Sequence, residues 1–322
     1  MLESVLLHMG RFLREIWSVV WPLYKVMVPM LLLVKVLELL GVIDWLGWLL
    51  APVTELLGLP ASAGLIWATA LLTNIYGGMA VFVNLSAFES WSVAQVTVLG
   101  LMLLIGHNLP VEGRIAQLAG VRLSYTLLLR IGGGLLLAGL LNQIYQFGGW
   151  LQQPAKLFWK PEIADSSLTS WAVAQLQGLG WILLIVAALL LLLKVLKKLH
   201  IERLISWMLR PLLRMMGIGR QATSMALIGV TLGLAYGGGL LIREAKAGHL
   251  SDSDVFSSIT LLGLCHSLIE DTLLILLLGA DLSGVLWFRL LLALCVVAVI
   301  NRLFIWMMKS KRAHWVFLNQ KP

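Results

Sequence analysis

Two otherwise apolar stretches of the sequence each contain a histidine that is followed five residues later by a carboxylate. The pairs are His107 with Glu112 and His266 with Asp271. Imidazole and carboxylate groups exchange protons and bind cations or polar solutes. Because an ionisable side chain at the centre of a bilayer costs at least ~2.5 kcal/mol, such residues mark ion or substrate pathways more often than structural positions. The two pairs therefore predict a functional site within the membrane.

The composition indicates that the helices carrying these pairs lie in lipid. Hydrophobic residues make up 60% of the 322 residues and charged residues only 12%, against ~25% in a soluble domain. Runs such as AVAQLQGLGWILLIVAALLLLLKVL exceed the ~20 residues that cross a ~30 Å hydrocarbon core. The sequence predicts an all-α polytopic membrane protein. Its net charge of +8 is expected to set topology and not to bind nucleic acid, and Cys265 and Cys295 are expected to be reduced.

The chain contains an internal duplication. Residues 31–52 align without a gap on residues 190–211, and residues 107–130 align on residues 266–289, both at an offset of 159. Lysine, tryptophan and proline matches in one register are unexpected by chance, whereas leucine matches are not. A YGG triplet at 76–78 corresponds to a second YGG triplet at 236–238. The predicted domains are a first repeat with an amphipathic N-terminal helix (1–150), a polar linker (151–170) and a second repeat (171–322).

The orientation of the repeats depends on how often each crosses the membrane. Four crossings make the repeats parallel, and three crossings plus a re-entrant helical hairpin make them inverted. The four-crossing arrangement places Arg114 and Arg122 outside, against the preference of basic residues for the cytoplasm. We therefore predict two inverted repeats, each with three spanning helices, a re-entrant hairpin and a helix broken at mid-membrane. Both termini are expected in the cytoplasm, in a bacterial inner membrane.

The duplicated pattern of YGG, then HN or HS, then E or ED resembles the nucleoside-recognition, or Gate, domain family of membrane proteins. That family includes spore-maturation membrane proteins, the core of the ferrous-iron permease and, more distantly, concentrative nucleoside transporters. The resemblance covers nearly the whole chain as two Gate repeats. It implies solute binding by hairpin tips and unwound helices, with a coupled cation, H⁺ or Na⁺, and no other cofactor. The substrate-binding residues that it implies are Asn74, Tyr76, His107, Asn108, Glu112, Tyr236, His266, Ser267, Glu270 and Asp271.

Each of these assignments has a structural alternative. The histidines can bond carbonyl groups that a helix break frees, and the acidic residues can cap the following half-helix. The adjacent carboxylates Glu270 and Asp271 are favoured as the proton or cation carrier. Arg130 and Arg289 are expected to snorkel towards the membrane surface more than to pair with carboxylates. The YGG glycines can permit close helix packing or local unwinding.

The spacing of ligand residues gives little support for a metal site. A soft site made by Cys265, His266 and Glu270 is conceivable, but no CxxC or HxxxH pattern accompanies it, and no metal ligand is assigned. The expected partners are a small-molecule or lipid-like solute and membrane lipids, and a second copy of the chain is a further candidate.

The sequence predicts a secondary transporter, a gradient-driven carrier, for a small polar or amphiphilic solute bound at the broken helices, with a nucleoside-like solute as the first candidate. A non-transporting membrane scaffold and a divalent-metal permease are the alternatives. An enzyme is not expected, because the sequence has no nucleophile elbow, HExxH motif or phosphate-binding loop.

Overall fold

The computed structural model describes residues 2–41, 49, 52–86, 90–158 and 167–309. Within these ranges the regular structure is helical, and Ser92 and Pro154 form an isolated bridge of strand type. The prediction of an all-helical protein is confirmed. Residues 159–166, which form part of the predicted linker, and the C-terminal residues 310–322 lie outside the described residues.

Most helices of the first half recur in the same order in the second half. The first half contains Leu2–Leu39, Ser62–Leu72, Ile75–Leu85, Val93–Ile105, Leu109–Leu118, Leu123–Leu127, Leu128–Gly132 and Gly133–Gly148. The second half contains Leu168–Lys198, Ile201–Met215, Arg220–Leu232, Leu234–Lys246, Asp252–Leu264, Glu270–Leu276, Ser283–Phe288 and Arg289–Lys309. The helices Val93–Ile105 and Asp252–Leu264 are separated by the same 159 positions as the two histidines.

Several of these helices are suited to lipid. Among the described residues, Leu123–Gly148, Leu168–Lys198 and Ser283–Phe304 are long and apolar enough to cross a membrane. Val93–Ile105 and Leu109–Leu118, bent by 40° at the break between them, together make a fourth candidate span. The prediction of a polytopic helical membrane protein is confirmed in this form.

The first broken helix consists of Val93–Ile105 and Leu109–Leu118. It begins with a capping box, in which the Ser92 side chain accepts from the Gln95 amide and the Gln95 side chain accepts from the Ser92 amide. Asn108 then takes a left-handed conformation, with φ 52°, which is uncommon for a residue with a side chain. Pro110 lies in the first turn of the next helix, where its missing N–H has no intrahelical partner to lose.

The second broken helix consists of Asp252–Leu264 and Glu270–Leu276. Ser251 caps its start by accepting from the Asp254 amide. At the break Ser267 has φ 45°, so the left-handed residue falls one position after the histidine, as Asn108 does in the first half. The two breaks are therefore built in the same way from different residues.

Two helical hairpins pack beside the breaks. The first hairpin is Ser62–Leu72 with Ile75–Leu85, and the second is Arg220–Leu232 with Leu234–Lys246. In the second hairpin a Cβ atom on Gly237 would overlap the backbone of Gly229. The second YGG triplet thus lies in a regular helix and permits close packing, which is the first of its two predicted roles.

The last helix of each half contains a π-helical segment. We call Leu123–Gly148 the first arginine helix and Ser283–Lys309 the second arginine helix. The π-helical segments are Leu128–Gly132, which includes Arg130, and Ser283–Phe288, which directly precedes Arg289. Such segments occur frequently at functional sites. Each arginine helix packs on the broken helix of its own half, and each π-helical segment also contacts the broken helix of the other half.

Candidate functional site

The two helix breaks bring His107 and His266 into contact. Their Nε2 atoms lie 3.3 Å apart, and their ring centroids are 5.0 Å apart. Both side chains are buried, with 6% and 2% of the residue surface exposed. Residues 159 positions apart in sequence therefore form one centre.

The second nitrogen of each histidine is held by the helix that precedes it. Nδ1 of His107 lies 2.7 Å from the Leu103 carbonyl oxygen, and Nδ1 of His266 lies 2.7 Å from the Leu262 carbonyl oxygen. Because a carbonyl oxygen only accepts, each Nδ1 carries the hydrogen, and in a neutral ring Nε2 has a free lone pair. Nδ1 of each histidine therefore bonds a carbonyl group beside the break, as the structural alternative predicted. Nε2 faces the other half of the chain.

One carboxylate from each half completes the centre. Oε1 of Glu112 lies 3.5 Å from Nε2 of His107 and 3.3 Å from Nε2 of His266. Oδ2 of Asp271 lies 3.8 Å and 3.9 Å from the same two nitrogens. We call His107, Glu112, His266 and Asp271 the four-residue cluster. Two of its members come from each half of the chain.

Arg130 supports the cluster from the first arginine helix. Its Nε donates to the Ile105 carbonyl at 2.7 Å, and its terminal nitrogens donate to the His107 carbonyl at 2.9 Å and to Oε2 of Glu112. The last carbonyl groups of a helix have no intrahelical partners and carry partial negative charge. Arg130 therefore caps the broken end of the helix and fixes the Glu112 carboxylate at the same time.

Arg289 occupies the equivalent place in the second half. It donates to the carbonyls of Leu264 at 3.0 Å and His266 at 2.9 Å. It also donates across to the Leu104 carbonyl of the first half at 3.2 Å. The snorkelling predicted for Arg130 and Arg289 is wrong, since they are 0% and 1% exposed. The freed carbonyl groups at the breaks offer these guanidinium groups partners that a regular span lacks.

Glu270 and Asp271, the pair favoured as the proton or cation carrier, have different neighbours in the structure. Asp271 faces the two histidines, whereas Glu270 accepts a hydrogen bond from the Tyr76 hydroxyl at 3.3 Å. Tyr76 belongs to the first hairpin, so this bond also joins the two halves. The carboxylate paired with Asp271 around the histidines is Glu112.

The remaining predicted site residues shape the backbone. The Asn74 side chain accepts from the Gly77 amide at 3.0 Å and caps Ile75–Leu85. Asn108 and Ser267 are the left-handed residues of the breaks, and the Asn108 amide donates to the Ala70 carbonyl at 2.9 Å. Tyr236 lies in the helix Leu234–Lys246, and its side chain is outside the described part of the structure.

A separate cavity of about 60 Å³ lies between Ile75–Leu85 and Leu168–Lys198. Its lining is apolar except for Asn84 and Gln175, whose amide groups exchange hydrogen bonds of 2.7 Å and 3.3 Å. Neither residue is predictable from the sequence, because a lone amide in an apolar helix gives no motif.

The spacing argument against a metal site does not apply to this arrangement. Donor atoms of His107, His266 and Asp271 all lie within 4.8 Å of one another. They belong to two distant segments, so no local motif could reveal them. The contacts of Arg130 and Arg289 with the breaks are a further feature that the sequence does not predict, although the equivalence of the two residues in the duplicated sequence is a usable signal.

The fold and the site define a polytopic helical membrane protein with a buried ionisable centre shared by its two halves. The chain is 32% identical over 284 residues to the membrane protein YvoD of Bacillus subtilis strain 168. The aligned region covers 87% of this chain and 89% of the relative. The chain therefore belongs to the same membrane-protein family as YvoD, whose function is uncharacterised. No protein-family model and no solved structure matches it.

Proposed function

We propose that the protein is a gradient-driven carrier that moves a small polar or amphiphilic solute through relative movement of its two halves. The observation that carries this proposal is the four-residue cluster. His107 and Glu112 belong to one half and His266 and Asp271 to the other, with separations of 3.3–3.9 Å between their facing atoms. Separation of the halves would open the cluster, and closure would occlude it.

The cost of the cluster argues for a function that uses it. Each ionisable group at mid-membrane costs at least ~2.5 kcal/mol, and such groups line ion and substrate pathways. Two carboxylates and two guanidinium groups meet here, and all four residues are at most 6% exposed. A scaffold needs only apolar helix packing, so it does not account for the free-energy cost of burying these charged groups.

The proposed topology is that of two inverted repeats, each with three spanning helices and a re-entrant hairpin. Ser62–Leu72 contains 11 residues, which extend ~16 Å at 1.5 Å per residue, about half of a ~30 Å hydrocarbon core. This length supports a hairpin that enters the membrane and returns. Broken helices beside such hairpins at mid-membrane are the usual construction of secondary transporters. With this topology both termini lie in the cytoplasm, and we place the protein in a bacterial inner membrane.

The converging nitrogen and oxygen atoms suit a cation better than a large solute in the closed arrangement. Atoms 3.3 Å apart leave room for a proton or a single ion between them. A nucleoside, the first candidate solute from the Gate resemblance, requires the halves to part. We therefore propose that the cluster binds the coupling cation and that the solute occupies the space opened beside it.

Transport in proteoliposomes tests this proposal. Vesicles with a trapped pH-sensitive dye are given a proton or sodium gradient and a panel of nucleosides, nucleobases and divalent metal ions. We expect protein-dependent flux of one class, which His107→Gln and Asp271→Asn abolish while the purified variants keep the elution volume of the parent protein. His249→Gln is the matched control, because His249 is an exposed histidine whose ring bonds Glu244, a residue outside the cluster.

The opposite result is equally clear. If no class crosses and the two cluster variants change only the oligomeric state, the carrier proposal fails and the scaffold takes its place. Turnover of a compound in detergent, with no dependence on a gradient, would indicate an enzyme instead.

A further inference from the structure

The centre of the molecule collects hydrogen-bond acceptors without a donor between them. Nδ1 of each histidine is committed to a backbone carbonyl, so each neutral ring turns a lone pair on Nε2 towards the other ring. Oε1 of Glu112 and Oδ2 of Asp271 add negative charge to the same space. Four acceptor atoms this close repel one another unless a positive species lies among them.

The distances among three of the four residues match those around a four-coordinate metal ion. Ligand bonds of ~2.0 Å in a tetrahedral site place neighbouring ligand atoms ~3.3 Å apart. The separations among His107, His266 and Glu112 are 3.3 Å, 3.3 Å and 3.5 Å. Those from Asp271 to the two histidine nitrogens are 3.8 Å and 3.9 Å, so its side chain must move inwards for all four residues to coordinate one ion.

A single proton leaves part of this cluster unsatisfied. A shared proton bridges two acceptors, whereas Oδ2 of Asp271 is buried and has no hydrogen-bond partner among the residues that the structure describes. An ion coordinated by all four residues gives this oxygen a partner.

The surroundings of the ligands agree with metal coordination. Metal-binding histidines usually donate their other N–H to a carbonyl or carboxylate, which fixes the ring, and both Nδ1 atoms do so at 2.7 Å. Glu112 is held through Oε2 by Arg130, so Oε1 remains free to face the histidines.

We infer that the four-residue cluster binds one first-row transition-metal dication of the Zn²⁺, Fe²⁺ or Co²⁺ type. Two imidazole nitrogens favour such ions over Mg²⁺ and Ca²⁺, which take oxygen ligands. Binding requires only the cluster. Passage of the ion across the membrane rests on the proposed carrier function, because separation of the halves would leave two ligands on each side and release it.

The two arginines suit a site that must release its ion. Arg130 bonds Glu112, and Arg289 bonds the backbone carbonyl of His266, so two positive charges lie against the cluster. A dication is therefore held less strongly than by the same four ligands alone. Binding that is strong enough to enter and weak enough to leave is what conduction requires.

Cobalt absorption provides the test on the purified full-length protein. Four-coordinate Co²⁺ gives strong visible bands that the hydrated ion largely lacks. We expect these bands to saturate at a single ion per chain and to disappear when Zn²⁺ is added. His107→Gln and His266→Gln should each weaken binding by more than about tenfold, since even loss of an outer partner costs 10- to 100-fold. His249→Gln should bind as the parent protein does.

The outcomes separate this inference from the proposed function. Absence of the bands in the parent protein, or their persistence in the double variant His107→Gln/His266→Gln, overturns the metal site. Bands without any protein-dependent Co²⁺ or Zn²⁺ flux, read by a trapped metal-sensitive dye, support the site and contradict its use in transport. Proton-coupled solute flux without the bands leaves the carrier standing and rejects the metal.

Discussion

His107 and His266 face each other through Nε2 at 3.3 Å, while each is fixed through Nδ1 by the carbonyl oxygen four residues before it. The rings are therefore oriented by their own helices, and contact arises only when the two breaks meet. A displacement of one break relative to the other changes the distance between the nitrogens without disturbing either ring's support. This separation of roles suits a centre that opens and closes.

Replacement of Arg130 by methionine should destabilise the protein strongly. The change leaves Glu112 as a buried charge and removes the donors to the carbonyls of Ile105 and His107. Breaking a buried ion pair costs about 3–5 kcal/mol, which thermal unfolding in detergent will register as a lower midpoint. The double variant Arg130→Met/Glu112→Gln should recover part of the loss.

Arg243→Met is the control for that experiment. Arg243 is exposed and pairs with Glu244 at the protein surface, where an ion pair contributes about 0–1 kcal/mol. An Arg130 variant as stable as the Arg243 variant would contradict the buried pair.

The two adjacent acidic residues should differ in their effect on cation binding. Asp271→Asn removes an oxygen that faces both histidines, whereas Glu270→Gln alters a residue that bonds Tyr76. Cation affinity, measured by titration of the purified variants, should fall more than about tenfold further for Asp271→Asn, because a lost ligand is not replaced. Equal losses in the two variants would show that both carboxylates contact the ion.

Gly237→Ala should destabilise the second hairpin. A new Cβ there meets the backbone of Gly229, which cannot rotate away as a side chain can, and such overpacking costs about 1–3 kcal/mol. Gly239→Ala tests the same exchange two residues later, where a Cβ meets nothing within 4 Å. The control should be neutral or more stable by up to ~1 kcal/mol, since alanine favours the helix. Thermal midpoints that fall equally for both would argue against the close approach.

Position 108 should tolerate substitution by glycine but not by valine. Its φ of 52° lies in a region that glycine adopts freely and that costs other residues about 1–2 kcal/mol. Asn108→Gly should keep the unfolding midpoint of the parent protein, and Asn108→Val should lower it. The reverse order would contradict a left-handed conformation at position 108.

The sequence was sufficient to predict the parts of the site but not their assembly. The duplication identified His107 with His266 and Glu112 with Asp271, and the apolar flanks predicted burial in lipid. No local sequence pattern indicates that residues 159 positions apart are in contact. The choice of Asp271 over Glu270 depends on which side of a short helix faces the other half, and this follows from packing.

Arg130 shows a second limit of the sequence analysis. Arginine near a span end usually reaches the membrane surface, and that expectation fails here because a broken helix presents free carbonyl groups within reach. The sequence predicts the break itself, as a helix interrupted at mid-membrane. The consequence for a residue on another helix could be found only from the three-dimensional arrangement.

The two carboxylates of the cluster have unequal surroundings. Glu112 is bonded to Arg130, whereas Oδ2 of Asp271 and one terminal nitrogen of Arg289 have no hydrogen-bond partner within the described part of the chain. A symmetric homodimer of a single repeat must have identical halves. Joining both repeats in one polypeptide removes that constraint and allows each to evolve separately. One half therefore holds a carboxylate paired with an arginine and the other a carboxylate with an unpaired oxygen, so the two halves of the centre are not equivalent.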